Sequence, residues 1–514
     1  MPRPIETARG RLAVHGVVAA VLAAAAWWLP DVRRGLIFDI TWWDAAPNDA
    51  TELPTAPGTG LAPTARTRVV LIDGLTAEVA PALRTWSAVC KRGIDVVIDV
   101  GFPTISLPVE VALWTGLTQQ QTGTVTRNGG RGGSYGHPLE PPLDRRGIPA
   151  QIAGSIAIAE DHGWIVRSLG FSRVEPRADP GDATKDANAA AWRNRWQRAA
   201  IEAIGSASPL VFVHILRVDT TGHSHGVGAI YLEAAVEADL ILDRLVEADP
   251  AARWFVLSDH GHIAGGGHGG EERDVRQVRG CIAGPGIVAE SGDPARIHVI
   301  DVARALADST GATLDAGSRG RPIAAARSAP LAGDQAVPPI GLGPGVIAIF
   351  LVVVGIAASL WGARRRWWLA PWWFVAACAS LYVVRGEPTL STGWIYKPEG
   401  REMYVTWLPA LALAAASAGL TRTVPLGRVV AAQLGLPAFA TAAAMAACGA
   451  WSVVFGAEVA PVVPRYTAWM LALVLMVAHG AAAVALGVLA RLVLRAFDRR
   501  GPSAPRRSAR AADA

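Results

Sequence analysis

The chain has 514 residues, a hydrophobic fraction of 51% and a mean hydropathy of +0.29, which is too long for one compact domain and too apolar for a purely soluble chain. Its formal net charge of +5 is unevenly spread, because residues 44–336 hold 27 of the 48 basic and 34 of the 43 acidic residues. The basic excess therefore flanks hydrophobic segments, which excludes nucleic-acid binding and points to orientation in a membrane. Only three of the basic residues are lysine and alanine is abundant, a bias that reads as a GC-rich, bacterial coding preference.

In chain order, residues 12–29 are apolar apart from His15 and follow Arg3, Arg9 and Arg11. They read as an uncleaved signal-anchor, with Trp27, Trp28, Trp42 and Trp43 as interfacial aromatics in an N-terminal unit, 1–43. Residues 44–67 are a Pro/Thr/Ala-rich linker. From 68 to 325, short apolar runs such as Val69–Ile72, Val96–Ile98, Pro209–Leu216 and Trp254–Leu257 alternate with helix-like stretches at Ala189–Ile204 and Ile230–Ala248. This alternation predicts an α/β domain with a mostly parallel sheet flanked by helices. A second linker covers 326–343.

Five more hydrophobic segments follow within 344–490, near 344–362, 367–384, 404–420, 429–455 and 466–490. Arginines mark every segment that would face the cytoplasm, namely 1–11, 363–366, 421–428 and the basic tail 491–514. The expected architecture is the α/β domain outside the cytoplasm, held by one N-terminal and five C-terminal spans of an α-helical transmembrane bundle in the plasma membrane. No charged residue falls within the spans, so a transporter is not expected. Cys378 and Cys448 lie in spans. Cys90 and Cys281 lie in the domain, where two buried free thiols are favoured over a disulfide.

The stretch Ser258–Gly270, "SDHGHIAGGGHGG", holds three histidines and an aspartate among glycines. It could serve as a metal site, a phosphate-cradling loop or a surface loop. Asp259 and His260 close an apolar strand, where charge is costly unless paired or metal-bound. Asp73 follows the run "VVLI", and Asp219 and His223 follow "VHIL", in what reads as a tight loop. Sites in such sheets form beyond the carboxyl ends of the strands, so these residues are candidates for one crevice. Three carboxylates and three imidazoles suit zinc or a similar cation, and six ligands exceed what one zinc needs.

The set Asp73-Gly74, Pro103-Thr104-x-Ser106-x-Pro108, Asp219-x-x-Gly222-His223, Ser258-Asp259-His260-Gly261 and Gly267-His268-Gly269 resembles the alkaline phosphatase superfamily. It is similar to the nucleotide pyrophosphatase/phosphodiesterase branch and to the ethanolamine-phosphate transferases of glycosylphosphatidylinositol synthesis. The resemblance covers roughly 68–325 and implies an alkaline-phosphatase-like fold; the region 127–200, less familiar in that frame, is expected to cap the site. It also implies two divalent metal ions, zinc by family habit: one held by Asp219, His223 and His268, the other by Asp73, Asp259 and His260 with the oxygen of the nucleophile Ser106. The implied activity is phospho-transfer on phosphodiesters through a phospho-serine, resolved by water or an acceptor alcohol. An envelope lipid or lipid-linked glycan is the expected substrate, and the loop 385–403 is expected to meet its headgroup.

Departures qualify that expectation. Val109-Glu110 follows Pro108 where phosphodiesterases often carry Asn, so Glu110 either points away or selects a cationic headgroup. The same frame lacks the arginine that sulfatases need. His225, His262 and Glu110 are candidates for support of the ligands, whereas His15, His214, His298 and His479 read as structural. A sulfatase or phosphomonoesterase on the same scaffold, or a catalytically inactive assembly module, are the alternatives.

Overall fold

A computed structural model of the chain describes residues 60–124, 147–161, 163–175, 186–270, 272–290 and 292–331, together with Ser391. All belong to one compact unit, Met1–Ala336 with Leu390–Gly393. Among the described residues no helix is long and apolar enough to cross a membrane. The expected spans at 12–29 and within 344–490 lie outside the described residues.

The first half of the domain runs β1 (Thr67–Ile72), α1 (Arg84–Lys91), β2 (Gly93–Asp99), α2 (Ser106–Thr115), α3 (Gln119–Thr122), β3 (Ile156–Ala159), α4 (Gly163–Arg167), β4 (Arg173–Glu175) and α5 (Asp186–Ile204). The second half runs β5 (Leu210–Ile215), α6 (Arg217–His225), α7 (Ala229–Ala248), β6 (Arg253–Leu257), α8 (Arg273–Arg276), β7 (Gln277–Ala283), β8 (Ala295–His298), α9 (Val299–Thr310) and α10 (Ile323–Ser328). The strands form one sheet in the order β4-β3-β5-β1-β6-β7-β2-β8. Neighbours are parallel except β7, which runs antiparallel to both β6 and β2. The mostly parallel sheet read from the sequence is therefore present.

Burial on both faces explains why the strands read as unbroken apolar runs. Every residue of β1 is buried, and strand alternation divides them between two cores. Val69 and Leu71 join α2 and α9 on one face, through Leu107, Leu113, Val302 and Leu306. Val70 and Ile72 join α1, α5 and α7 on the other, through Trp86, Trp196, Ala235 and Leu242. On α5 the inward residues Trp192, Trp196 and Ala200 recur every four positions, the spacing of one helix face.

Three features differ from the sequence reading. Of the stretch 127–200 expected to cap the site, the described parts instead extend the sheet through β3 and β4 and cover it with α5. The run "IAIA" of β3 is buried throughout, which a cap strand would not be. Asp219 and His223 sit on the helix α6 rather than in a tight loop, so their separation of four residues puts them on one helical face. Cys90 and Cys281 form a disulfide rather than two free thiols: α1 packs on β7 with the two Cα atoms 4.8 Å apart, inside the range a disulfide bridges.

Candidate metal centre

Three adjacent parallel strands in the middle of the sheet deliver the candidate ligands from their carboxyl ends. Asp73 follows β1, Asp219 and His223 follow β5 on α6, and Asp259 and His260 follow β6. Ser106 opens α2 after β2, where the dipole of the helix favours negative charge. His268 returns to the site on the glycine strap, which bends through left-handed conformations at Gly266, Gly267 and Gly269 (φ of 86°, 117° and 112°) that other residues rarely adopt.

The ligand atoms gather into two groups. His260 Nε2 lies 3.3 Å from Asp73 Oδ1, 3.3 Å from Asp259 Oδ2 and 3.2 Å from Ser106 Oγ. Asp219 Oδ1 lies 3.3 Å from His223 Nε2 and 3.4 Å from His268 Nε2, and the two imidazole nitrogens are 3.0 Å apart. Within each triad, Asp73/Asp259/His260 and Asp219/His223/His268, one ligand atom per residue lies within 4.8 Å of the others. The rings of His260 and His268 stack with centroids 3.6 Å apart and so join the groups.

Hydrogen bonding fixes what these atoms offer. His260 Nδ1 faces its neighbour's Gly261 carbonyl at 3.1 Å, and His268 Nδ1 faces the Thr104 carbonyl at 2.9 Å. A carbonyl only accepts, so both Nδ1 atoms carry the proton and both Nε2 atoms present a lone pair. Burial holds the His260 imidazole neutral, with its pKa pushed down to about 3. Its lone pair therefore points at oxygens of two buried carboxyl groups. Acceptor atoms converging in this way fit a cation, and the N/O donor set suits zinc or a similar borderline metal.

The buried charges lead to the same conclusion. Asp73, Asp219, Asp259 and Glu110 are all buried. Burial and then the Asp219 charge push the Asp73 carboxyl up to about 6. Burial, Asp73 and Glu110 raise Asp259 well above the carboxylate range. Burial opposes the charge on Asp219 too, but the His262 contact and the imidazoles of His223 and His268 outweigh it and hold that carboxyl low. Two divalent ions would remove the mutual repulsion of these carboxylates.

Glu110 is fully buried behind the site, one helical turn after Ser106, so it meets no headgroup. Its carboxylate lies 3.4 Å from His214 Nε2, which lies 3.2 Å from Asp73 Oδ2. Burial would lower the His214 pKa, yet Glu110 and Asp73 raise it well above its ordinary value. His214, read as structural from its apolar strand, thus touches a ligand oxygen. His225 is exposed at the end of α6; two residues beyond His223, it falls on another face of the helix.

Further support comes from residues outside the six candidate ligands. Tyr231 on α7 donates to the Gly74 carbonyl (2.6 Å) and accepts from Thr76 N–H (2.9 Å), holding the turn that carries Asp73. The Thr104 hydroxyl donates to the Gly270 carbonyl and accepts from Gly269 N–H, fixing the strap beside His268. Ser391, from the loop expected to meet a headgroup, is buried against the same strap: its hydroxyl accepts from Gly270 N–H (2.8 Å) and donates to Glu272 (2.6 Å).

No protein-family model matches the sequence, and no curated protein does. Solved structures similar to the chain include a 2-O GAG sulfatase (15% identity, 54% of this chain and 76% of that one, TM-score 0.41). Human ectonucleotide pyrophosphatase/phosphodiesterase 5 is another (13% identity, 51% and 99%, TM-score 0.41). A third is the PH0037 protein from Pyrococcus horikoshii (12% identity, 50% and 100%, TM-score 0.36). Likeness at this level carries no activity across to this chain, and the chemistry of the site has to supply it.

Proposed function

We propose that the chain is a membrane-bound, two-metal phospho-transfer enzyme that acts on phosphodiesters through a phospho-serine on Ser106. The observation that carries this reading is the convergence of lone-pair atoms: a serine hydroxyl, two carboxylates and an imidazole nitrogen at one group, with a second Asp/His/His group joined to it by stacked imidazoles. Asp73, Asp259 and His260 would hold one divalent ion and Asp219, His223 and His268 the other. When bound, such ions lower the pKa of a coordinated hydroxyl and neutralise charge on phosphoryl oxygens.

Ser106 Oγ loses its proton and attacks phosphorus, the bond from phosphorus to the leaving alcohol breaks, and that alcohol takes up a proton. Water or an acceptor alcohol then attacks the phospho-serine and restores the hydroxyl, which makes the outcome hydrolysis or transfer. Burial of Asp73, Asp259 and His260 excludes water from this end of the site and keeps the histidine neutral. Four buried carboxylates suit a divalent cation better than they suit an anionic substrate held by protein groups alone.

We infer a lipid or lipid-linked glycan substrate at the outer face of the plasma membrane. The apolar segments of the sequence and their arginine flanks support a membrane location. The disulfide supports a domain outside the cytoplasm, since such bonds persist in oxidising compartments.

The test is an assay of the purified full-length protein on a phosphodiester, a phosphomonoester and a sulfate ester, with and without chelator. Phosphodiester turnover lost on chelation is expected. Ser106→Ala should lose turnover while keeping about two metal ions per chain, the number a paired site takes. Full activity of that variant would sink the nucleophile assignment, and preferential turnover of the sulfate ester would replace phospho-transfer with the sulfatase reading.

A further inference from the structure

His262 is the histidine of the strap that the two ligand groups leave over. It is 1% exposed, and its Nε2 lies 3.2 Å from Asp219 Oδ1. It also lies close enough to Asp219 and His260 for the three to look like a third metal group. Its hydrogen bonding rules that out: Gly267 N–H donates to His262 Nδ1 at 2.9 Å, so the only lone pair of a neutral imidazole is already used. The proton is therefore on Nε2, facing the Asp219 carboxylate.

We propose that His262 is a positioning residue that ties Asp219 to the strap carrying His268, and so sets two of the three ligands of one metal group from a single side chain. This inference rests on the two-metal reading above.

Two glycines from different motifs make room for the ring. A Cβ on Gly222 would sit 2.5 Å from His262 Nε2, and one on Gly74 would sit 2.8 Å from it. Gly222 precedes His223 on α6 and Gly74 follows Asp73 after β1, so the ring is wedged between the backbones of both ligand-bearing segments. The ring also makes edge contacts with His223, His268 and His260, at centroid distances of 5.2, 5.6 and 6.0 Å. Toward the strap, Nδ1 holds Gly267, and the adjoining turn is closed by Ile263 N–H on the Gly267 carbonyl. The side chain thus reads the strap with one nitrogen and Asp219 with the other. Outer contacts of this kind orient a ligand and raise metal affinity, and their loss typically costs ~10–100-fold.

The two nitrogens can be removed separately. In His262→Asn the amide oxygen replaces Nδ1 and still accepts from Gly267, but nothing reaches Asp219. In His262→Gln the amide nitrogen stands near the place of Nε2 and donates to Asp219. His262→Leu does neither. The full-length protein is loaded with zinc, titrated with a graded chelator and analysed for metal per chain, with thermal unfolding of each chelated form recorded in parallel.

The expected result is that one of the two ions leaves the Asn and Leu variants at ~10–100-fold lower chelator strength, while the second ion is retained as in wild type and the Gln variant recovers most of the loss. Wild-type retention of both ions by the Asn variant would overturn the proposal. So would equal loss of both ions in all three variants together with a lowered unfolding temperature of the chelated form, the mark of a merely structural role. Wild-type protein that takes up no zinc would overturn the two-metal reading itself, and the role of His262 with it.

Discussion

Tyr231 shows how a single hydroxyl supports the site. It spans two backbone groups of the turn after Asp73, donating to one and accepting from the other. Removing it leaves Thr76 N–H buried without its acceptor, and an unsatisfied buried group costs ~1–3 kcal/mol. Tyr231→Phe should therefore lower unfolding stability by about that amount, measured by urea titration of the chelated protein so that metal binding does not mask the effect. An unchanged midpoint would mean that water takes the place of the hydroxyl. Of the six candidate ligands, Asp73, Asp259 and His260 were legible because each is a costly residue at the end of an apolar run, where a charge calls for a cation or a partner. Tyr231 and His214 were not legible. Each sits in a segment whose other residues are core, and its polar atom meets a partner contributed by a distant part of the chain. His225 was a candidate only by its nearness to His223 in sequence, and on a helix two residues' separation turns it to a different face, where it is exposed.

At the scale of elements, the site depends on how β2 ends. Asp99 closes that strand, accepts from Gly101 N–H in the loop leading to Ser106, and pairs with Arg276 before β7 and Arg296 on β8. Burial would raise its carboxyl, but Arg276, His298 and Arg296 outweigh burial and hold it well below the usual carboxylate range. A carboxyl depressed in the folded state contributes stability that is complete above the unfolded pKa, about 3.9, and is lost as pH falls through the folded value. Wild type should therefore exceed Asp99→Asn in stability at pH 7, with the gap narrowing steadily below about pH 4. Urea titrations of both proteins across that range check it, and a gap independent of pH would show that Asp99 acts through shape and not charge. The strands themselves were legible, because burial on both faces makes β1, β5 and β6 continuous apolar runs. The expected cap was misplaced because β3 and β4 are only four and three residues long, too short for the pairing of β3 with β5 and of β4 with β3 to show in any local pattern.

For the whole molecule, the pairing of Cys90 with Cys281 depends on tertiary structure alone. The two are 191 residues apart, and only the packing of α1 on β7 brings them together, which is why the sequence favoured free thiols. The bond has two consequences. Crosslinking so long a loop restricts the unfolded chain and typically stabilises by ~2–4 kcal/mol. Such a bond also persists in oxidising compartments, as the proposed location of the domain outside the cytoplasm requires. Both are checked on protein isolated from its native host, denatured, and labelled with a maleimide before and after reduction. Reduction should expose two further thiols. Cys90→Ser should abolish that gain and leave one new free thiol, and reductant should lower the unfolding stability of wild type but not of the variant. Full labelling of all four cysteines before reduction would place the domain in a reducing compartment and overturn the proposed location outside the cytoplasm.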